Sequence, residues 1–173
     1  MTAQITHRPD AFNTIVRGGF IAAVLDAVDA VIAYGVLGLS PVQVLQYVAS
    51  GLLGSAAYAG NTLLGFAYAG LGVALHFFIA FMVAAVYYLA AQKVTVLTRR
   101  PIVSGLLFGA AVFLFMTFLV LPLSAVAKSP FSLGLFLNGV LGHAAFVGLP
   151  IALWASRPAR SKSTENPSRA AVA

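Results

Sequence analysis

Five polar side chains stand inside long apolar runs: Asp26, Asp29, His76, Asn138 and His143. Carboxylates beside imidazoles can pass or hold a proton, because a neighbouring charge moves the histidine across the physiological range. An Asp-x-x-Asp pair with two histidines also offers oxygen and nitrogen donors to a divalent metal. Two histidines on different helices could ligate haem iron. The same groups could equally be a satisfied polar contact that fixes helix register. The sequence alone leaves these readings open. It contains no cysteine, which removes disulfides, thiolate chemistry, Cys-ligated zinc and Cys-ligated iron–sulfur clusters. No serine sits beside a general base, and no glycine run fits a phosphate loop, so nothing favours an enzyme.

The elements that must position these groups follow from composition. The 173 residues are 61% hydrophobic and 8% charged, with a mean hydropathy of +0.97. Soluble domains carry about a quarter charged residues, so an ordinary water-soluble enzyme is excluded. Four apolar stretches approach the ~20 residues needed to cross a bilayer. They run over about 18–37, 67–92, 103–125 and 131–155. The expectation is an all-α bundle of four transmembrane helices, with 1–17 a polar N-terminal segment and 157–173 a basic disordered tail. Between spans one and two, Ser40-Pro41 reads as an N-cap followed by a first-turn proline, opening a short helix over about 41–53. It is too short to span and reads as interfacial or re-entrant, with Gln43, Gln46 and Ser50 as its solvated face. The small-residue run 51–61 reads as the returning loop.

Charge sets the expected orientation. Arg8, Arg17, Lys93, Arg99, Arg100, Arg157, Arg160, Lys162 and Arg169 flank one set of span ends, and only Lys128 falls at the other. The positive-inside rule puts both termini in the cytoplasm, with Tyr87, Tyr88 and Trp154 as an aromatic belt at that interface. The net charge of +6 then reads as attraction to anionic lipid headgroups rather than to nucleic acid.

Asp26 and Asp29 each cost roughly 2.5–3.5 kcal/mol at a helix centre, nearly cancelling the gain from the large apolar residues of that span. They share a face with Gly19, Ala22, Ala23, Ala30 and Ala33, opposite Phe20, Ile21, Val24, Val28, Val31 and Ile32. Small residues mark close helix approach, so the acids are expected to look inward. His76 shares a face with Gly65, Ala69, Gly72 and Ala80, and Asn138 one with Gly134, Gly142 and Ala145. At about 1.5 Å per residue, Asp29 and His143 come out roughly 16 Å from the cytoplasmic end, and His76 and Asn138 roughly 24 Å. These positions predict one midplane polar layer. The depth mismatch of the histidines argues against haem. A divalent metal stays open, with Asp26, Asp29, His76 and His143 as its candidate ligands, and no cofactor is expected otherwise. Gly105 and Gly109 form a small-xxx-small pair expected to serve packing.

The stretches SPVQVLQYVASGLLG (40–54), ALHFFIAFMVAAVYYLA (74–90), RRPIVSGLLFG (99–109), VLPLSA (120–125) and NGVLGHAAFVGLPIALWA (138–155) resemble bacterial four-helix inner-membrane proteins, distantly YagU-like. That resemblance covers about 14–156. It implies a bacterial inner membrane and an all-helical fold, and it carries no reaction. The expected roles are proton or small-cation binding or translocation, or a non-catalytic scaffold or accessory subunit. A bundle this small suggests a homo-oligomer or a membrane-protein partner.

Overall fold

Helices alone make up the regular structure of the computed structural model, which describes residues 9–127 and 130–157. Helix α1 begins with wide, five-residue turns over Phe12–Gly18 and runs on as Gly19–Gly35. Helix α2 is Pro41–Leu53, and α3 is Leu63–Lys93. Helices α4 (Pro101–Leu123) and α5 (Leu133–Ala155) complete the set, each with an internal wide turn, at Met116–Val120 and His143–Gly148. Three of them, α3, α4 and α5, are long and apolar enough to cross a membrane. Of the residues expected to set the orientation and to form the tail, Arg8, Lys128, Arg160, Lys162 and Arg169 lie outside the described residues.

Local chemistry explains where the helices start and stop. Helix α1 opens earlier than the expected 18 because Asp10 caps it: its Oδ1 accepts the Asn13 N–H at 3.1 Å, and its carbonyl accepts the Thr14 hydroxyl at 2.7 Å. Thus part of the expected polar segment 1–17 is helical. Helix α2 opens with a reciprocal capping box between Ser40 and Gln43 and a first-turn proline, and it ends at Gly54, whose φ of +59° suits glycine. Residues 54–57 form a further tight turn rather than open loop. Thr62 caps α3 by accepting the Gly65 N–H at 3.0 Å.

Packing is carried by small residues. Helix α1 lies on α3 and α5, and α5 lies on α4. Gly19 faces Phe81 and Ala84 on α3, while Gly18 faces Ile151 and Trp154 on α5. Gly105 and Gly109 of α4 press against a small-residue stripe on α5 made by Ala144, Gly148 and Ala152. A methyl on Gly109 would collide with the His143 carbonyl, and one on Gly148 with the backbone of Gly105 and Gly109. The large apolar side chains Phe20, Val24, Val28 and Ile32 of α1 are exposed, on the face expected opposite the acids. At the end where α3 leads into α4, Tyr87 is fully buried. Its hydroxyl donates to the Leu97 carbonyl at 2.9 Å and lies 3.1 Å from Ser104 Oγ. The expected belt tyrosine is therefore an internal staple: the single turn Val96–Arg99 folds back over it and offers a carbonyl.

Helix α2 also departs from expectation. It packs along α3, and Gln46 and Ser50 are buried rather than solvated, leaving only Gln43 of that trio exposed. Gln46 Nε2 donates to the carbonyls of Gly60 and Gly65, at 2.9 and 3.0 Å. Leu45 approaches Gly72 so closely that no side chain would fit there. Gly51 accepts the Ala125 N–H at 3.0 Å, tying α2 to the end of α4 as well.

Overpacking typically costs about 1–3 kcal/mol. Gly109→Val should therefore lower the thermal unfolding temperature in detergent clearly, whereas Gly70→Ala, which meets nothing within 4 Å, should not. Gln46→Leu removes the donor from two carbonyls and should cost about 1–3 kcal/mol in the same assay. A Gln46→Leu protein as stable as wild type would show that water replaces that donor.

Candidate functional site

The buried stripe Gly19, Ala22 and Ala23 brings α1 against its neighbours, and Asp26 and Asp29 continue that stripe by one and two turns. The wide turns starting at Phe12 lengthen α1 at its N-terminal end. Measured from Phe12 at about 1.5 Å per residue, Asp29 stands about 26 Å along α1, level with Asn138 measured from the other end of α5. Asp26 and His143 likewise come out within a few Å of each other, at about 21 and 18 Å. The expected matching of Asp29 with His143 is therefore shifted by one turn.

The contacts follow this register. Asp29 Oδ2 accepts a hydrogen bond from Asn138 Nδ2 at 3.0 Å. Its carboxylate lies against Gly142, where a methyl would touch Oδ2 at 2.6 Å. Asp26 Oδ1 lies 3.4 Å from His143 Nδ1. That nitrogen is buried and has no hydrogen-bonding partner of good geometry among the described residues. Phe113 of α4 sets its ring edge-on to His143 at 5.3 Å, and its own ring occupies the space above Gly139. His143 opens the wide turn of α5, an irregularity often found at functional positions.

His76 goes elsewhere. Its Nε2 lies 2.8 Å from the carbonyl of Ala23. A carbonyl only accepts, so Nε2 is the proton-bearing nitrogen. The five residues thus form two pairs and a separately bonded histidine instead of one continuous buried layer. All five are part-exposed; the His143 and Asp26 side chains retain 24% and 17% of their surface. Among the described residues, no three histidine, cysteine, aspartate or glutamate side chains converge; of the candidate metal ligands Asp26, Asp29, His76 and His143, the structure brings only Asp26 and His143 side by side.

Asp26, His76 and His143 do share one feature. All three line a partly open cavity of about 290 Å³ enclosed by α1, α3, α4 and α5. Its walls are mainly aliphatic, and α2 closes one end with Val44, Leu45, Tyr47, Val48 and Gly51. There the Tyr34 and Tyr47 rings stand 5.9 Å apart. Desolvation pushes the Tyr47 hydroxyl up to about 12, with smaller contributions from Tyr34 and Tyr58, so it keeps its proton at any physiological pH. Sequence reasoning missed Gln46, Tyr87 and the cavity itself. The signal available for Gln46 was its own polarity beside Val44 and Ala49, which are buried with it.

No known protein family, curated protein or solved structure matches the chain. The site therefore rests on its own geometry.

Asn138→Leu strips the donor from Asp29 and should lower stability by about 1–3 kcal/mol. In a double-mutant cycle with Asp29→Leu, which removes the acceptor, the two changes should couple by at least about 0.5 kcal/mol. Additive effects on the unfolding temperature would show that the pair contributes nothing as a pair.

Proposed function

We propose that this chain is a four-span inner-membrane protein in which Asp26 and His143 hold an exchangeable proton or small cation at the inner end of the cavity. The observation that carries this reading is the Asp26 carboxylate 3.4 Å from a buried, otherwise unpartnered His143 nitrogen, on a cavity wall. An intramembrane acid facing a cavity is the common mark of a proton or ion path. The scaffold reading has its own supporting observation at Asp29. There a neutral amide donor satisfies the carboxylate, which suits a contact that fixes the register of α1 on α5. The two pairs thus divide the work: exchange at Asp26, alignment at Asp29.

Helix α1 serves as the fourth span in this reading. Its α-helical part has 17 residues, and with the turns from Phe12 it reaches about 36 Å, enough to cross. Helix α2 is then a non-spanning segment at the outer end. Arg17, Lys93, Arg99, Arg100 and Arg157 all belong to the end where α1 begins and α5 finishes, which favours a cytoplasmic assignment for that end. Arg157 stacks on Trp154 at 3.6 Å from the ring centroid, and Arg17 stands 5.6 Å from the same ring. Paired guanidinium groups on an interfacial indole suit contact with anionic headgroups. The resemblance noted in the sequence to bacterial four-helix inner-membrane proteins would imply the same location. A second copy or another membrane protein completes the picture for so small a bundle.

Infrared difference spectroscopy across a pH titration, on protein in nanodiscs, tests the exchange directly. Wild type minus Asp26→Asn should leave one carboxylic-acid component that comes and goes with pH, the bands of Asp10, Asp29 and Glu165 cancelling, and Asn138→Ala should retain that component. Identical pH-dependent spectra for wild type and Asp26→Asn would sink the assignment.

A further inference from the structure

We infer that the cavity binds a small lipophilic amine, held as its ammonium form by Asp26 beneath an aliphatic sleeve. This rests on the reading of Asp26 as the acid that holds an exchangeable cation, and it names the cation's chemical class.

The argument starts with charge. Among the groups lining the cavity, Asp26 is the only carboxylate, and no lysine or arginine faces it. Its neighbour on the far side, Asp29, is met by a neutral amide and brings no compensating positive charge. The other titratable lining groups are the two histidines and the tyrosines Tyr34 and Tyr47, and His76 already spends its Nε2 proton on the Ala23 carbonyl. An anionic ligand would meet a carboxylate with no fixed cation to balance it. A cation would meet a partner in a low-dielectric setting, where such a contact is strongest.

Shape supplies the rest. A metal ion stripped of its water needs several protein donors, and Asp26 and His143 are the two ionisable side chains that the structure pairs here. The walls beyond Asp26 include Val31, Ile79, Val112 and Met116, which offer apolar contact, and Thr117 and Ser124 add two hydroxyls. From Asp26 to Tyr34, under α2, the cavity follows α1 for about 12 Å. A volume of about 290 Å³ lies at the small end of ligand pockets, room for one short chain or ring system. A ligand with one cationic head and one compact apolar body matches both ends. The proton balance is simple. A neutral amine arriving through lipid takes the proton of the Asp26 carboxyl; the O–H bond breaks as the N–H bond forms. The product is an ammonium–carboxylate pair, with His143 Nδ1 beside it.

The probe is tritium-labelled octylamine, with octanol as its uncharged counterpart, on protein in phosphatidylcholine nanodiscs that carry no anionic lipid. Wild type should bind octylamine saturably, and Asp26→Asn should weaken that binding by at least about tenfold. Octanol should show no dependence on Asp26. Val112→Phe, which fills the cavity from α4 and leaves Asp26 in place, should abolish saturable octylamine binding while the infrared carboxyl signal persists. Equal octylamine uptake by all three proteins would mean partition into lipid only and would overturn the inference. Loss of saturable binding in wild type with an intact infrared signal would overturn it too, leaving proton exchange standing. Saturable, Asp26-dependent binding with no infrared signal would uphold the amine site and defeat the exchange of a proton there.

Discussion

Two carboxylates one turn apart on a single helix set the terms for everything packed around them. Set against apolar neighbours, neither is cheaply left without a partner, and the surrounding side chains of α1 offer none. Helix α5 answers both, with an amide at Asn138 and an imidazole at His143, five residues apart. That spacing presents the two groups to Asp29 and Asp26 because α5 runs antiparallel to α1. Stabilising the acids and aligning the two helices are therefore one and the same contact.

The glycines make this contact reachable. Gly142 leaves the Asp29 carboxylate room to lie against α5, and Gly139 does the same for the Phe113 ring that walls in His143. On another side of α5, Gly148 lets α4 approach until backbones touch. In lipid, where apolar side chains gain little from leaving one another's neighbours, such close backbone approach is what holds helices together. One helix thus has three glycine seats, for a carboxylate, a ring and a neighbouring backbone. The cavity occupies the space that this tight packing leaves on the α1, α3 and α4 side.

Much of this architecture was legible in the residues. Asp and Ala at three- and four-residue spacing on 19–33 announced an inward face, and Ser40-Pro41 announced the start of α2. Gly105 and Gly109 announced a close crossing. The five polar residues were expected in one layer, whereas the structure gives the pairs Asp29–Asn138 and Asp26–His143 with His76 bonded to a carbonyl apart from them. Asp10, three residues before Asn13, caps α1 early, so a depth counted from 18 places every residue of α1 about 9 Å too shallow. Gln46 was read as facing solvent because glutamine on a short helix usually does. Its real partners, the Gly60 and Gly65 carbonyls, become its neighbours only when the chain returns. Tyr87 was misread for the same reason: the carbonyl it serves belongs to a turn ten residues on. Long-range pairing and helix offset are tertiary facts, and periodicity along one segment does not contain them.

The Asp29–Asn138 bond spans 109 positions of chain. At cellular elongation rates of about 5–20 residues per second, roughly 5 to 20 seconds separate the synthesis of the acid from that of its partner. Throughout that interval α1 has its two aspartates and none of the groups that later satisfy them. On the four-span reading it must wait at the translocation machinery, or enter the bilayer with its acids protonated, until α5 emerges. Biogenesis of this bundle is thus ordered from its last helix backwards: the final segment made is the one that lets the first settle.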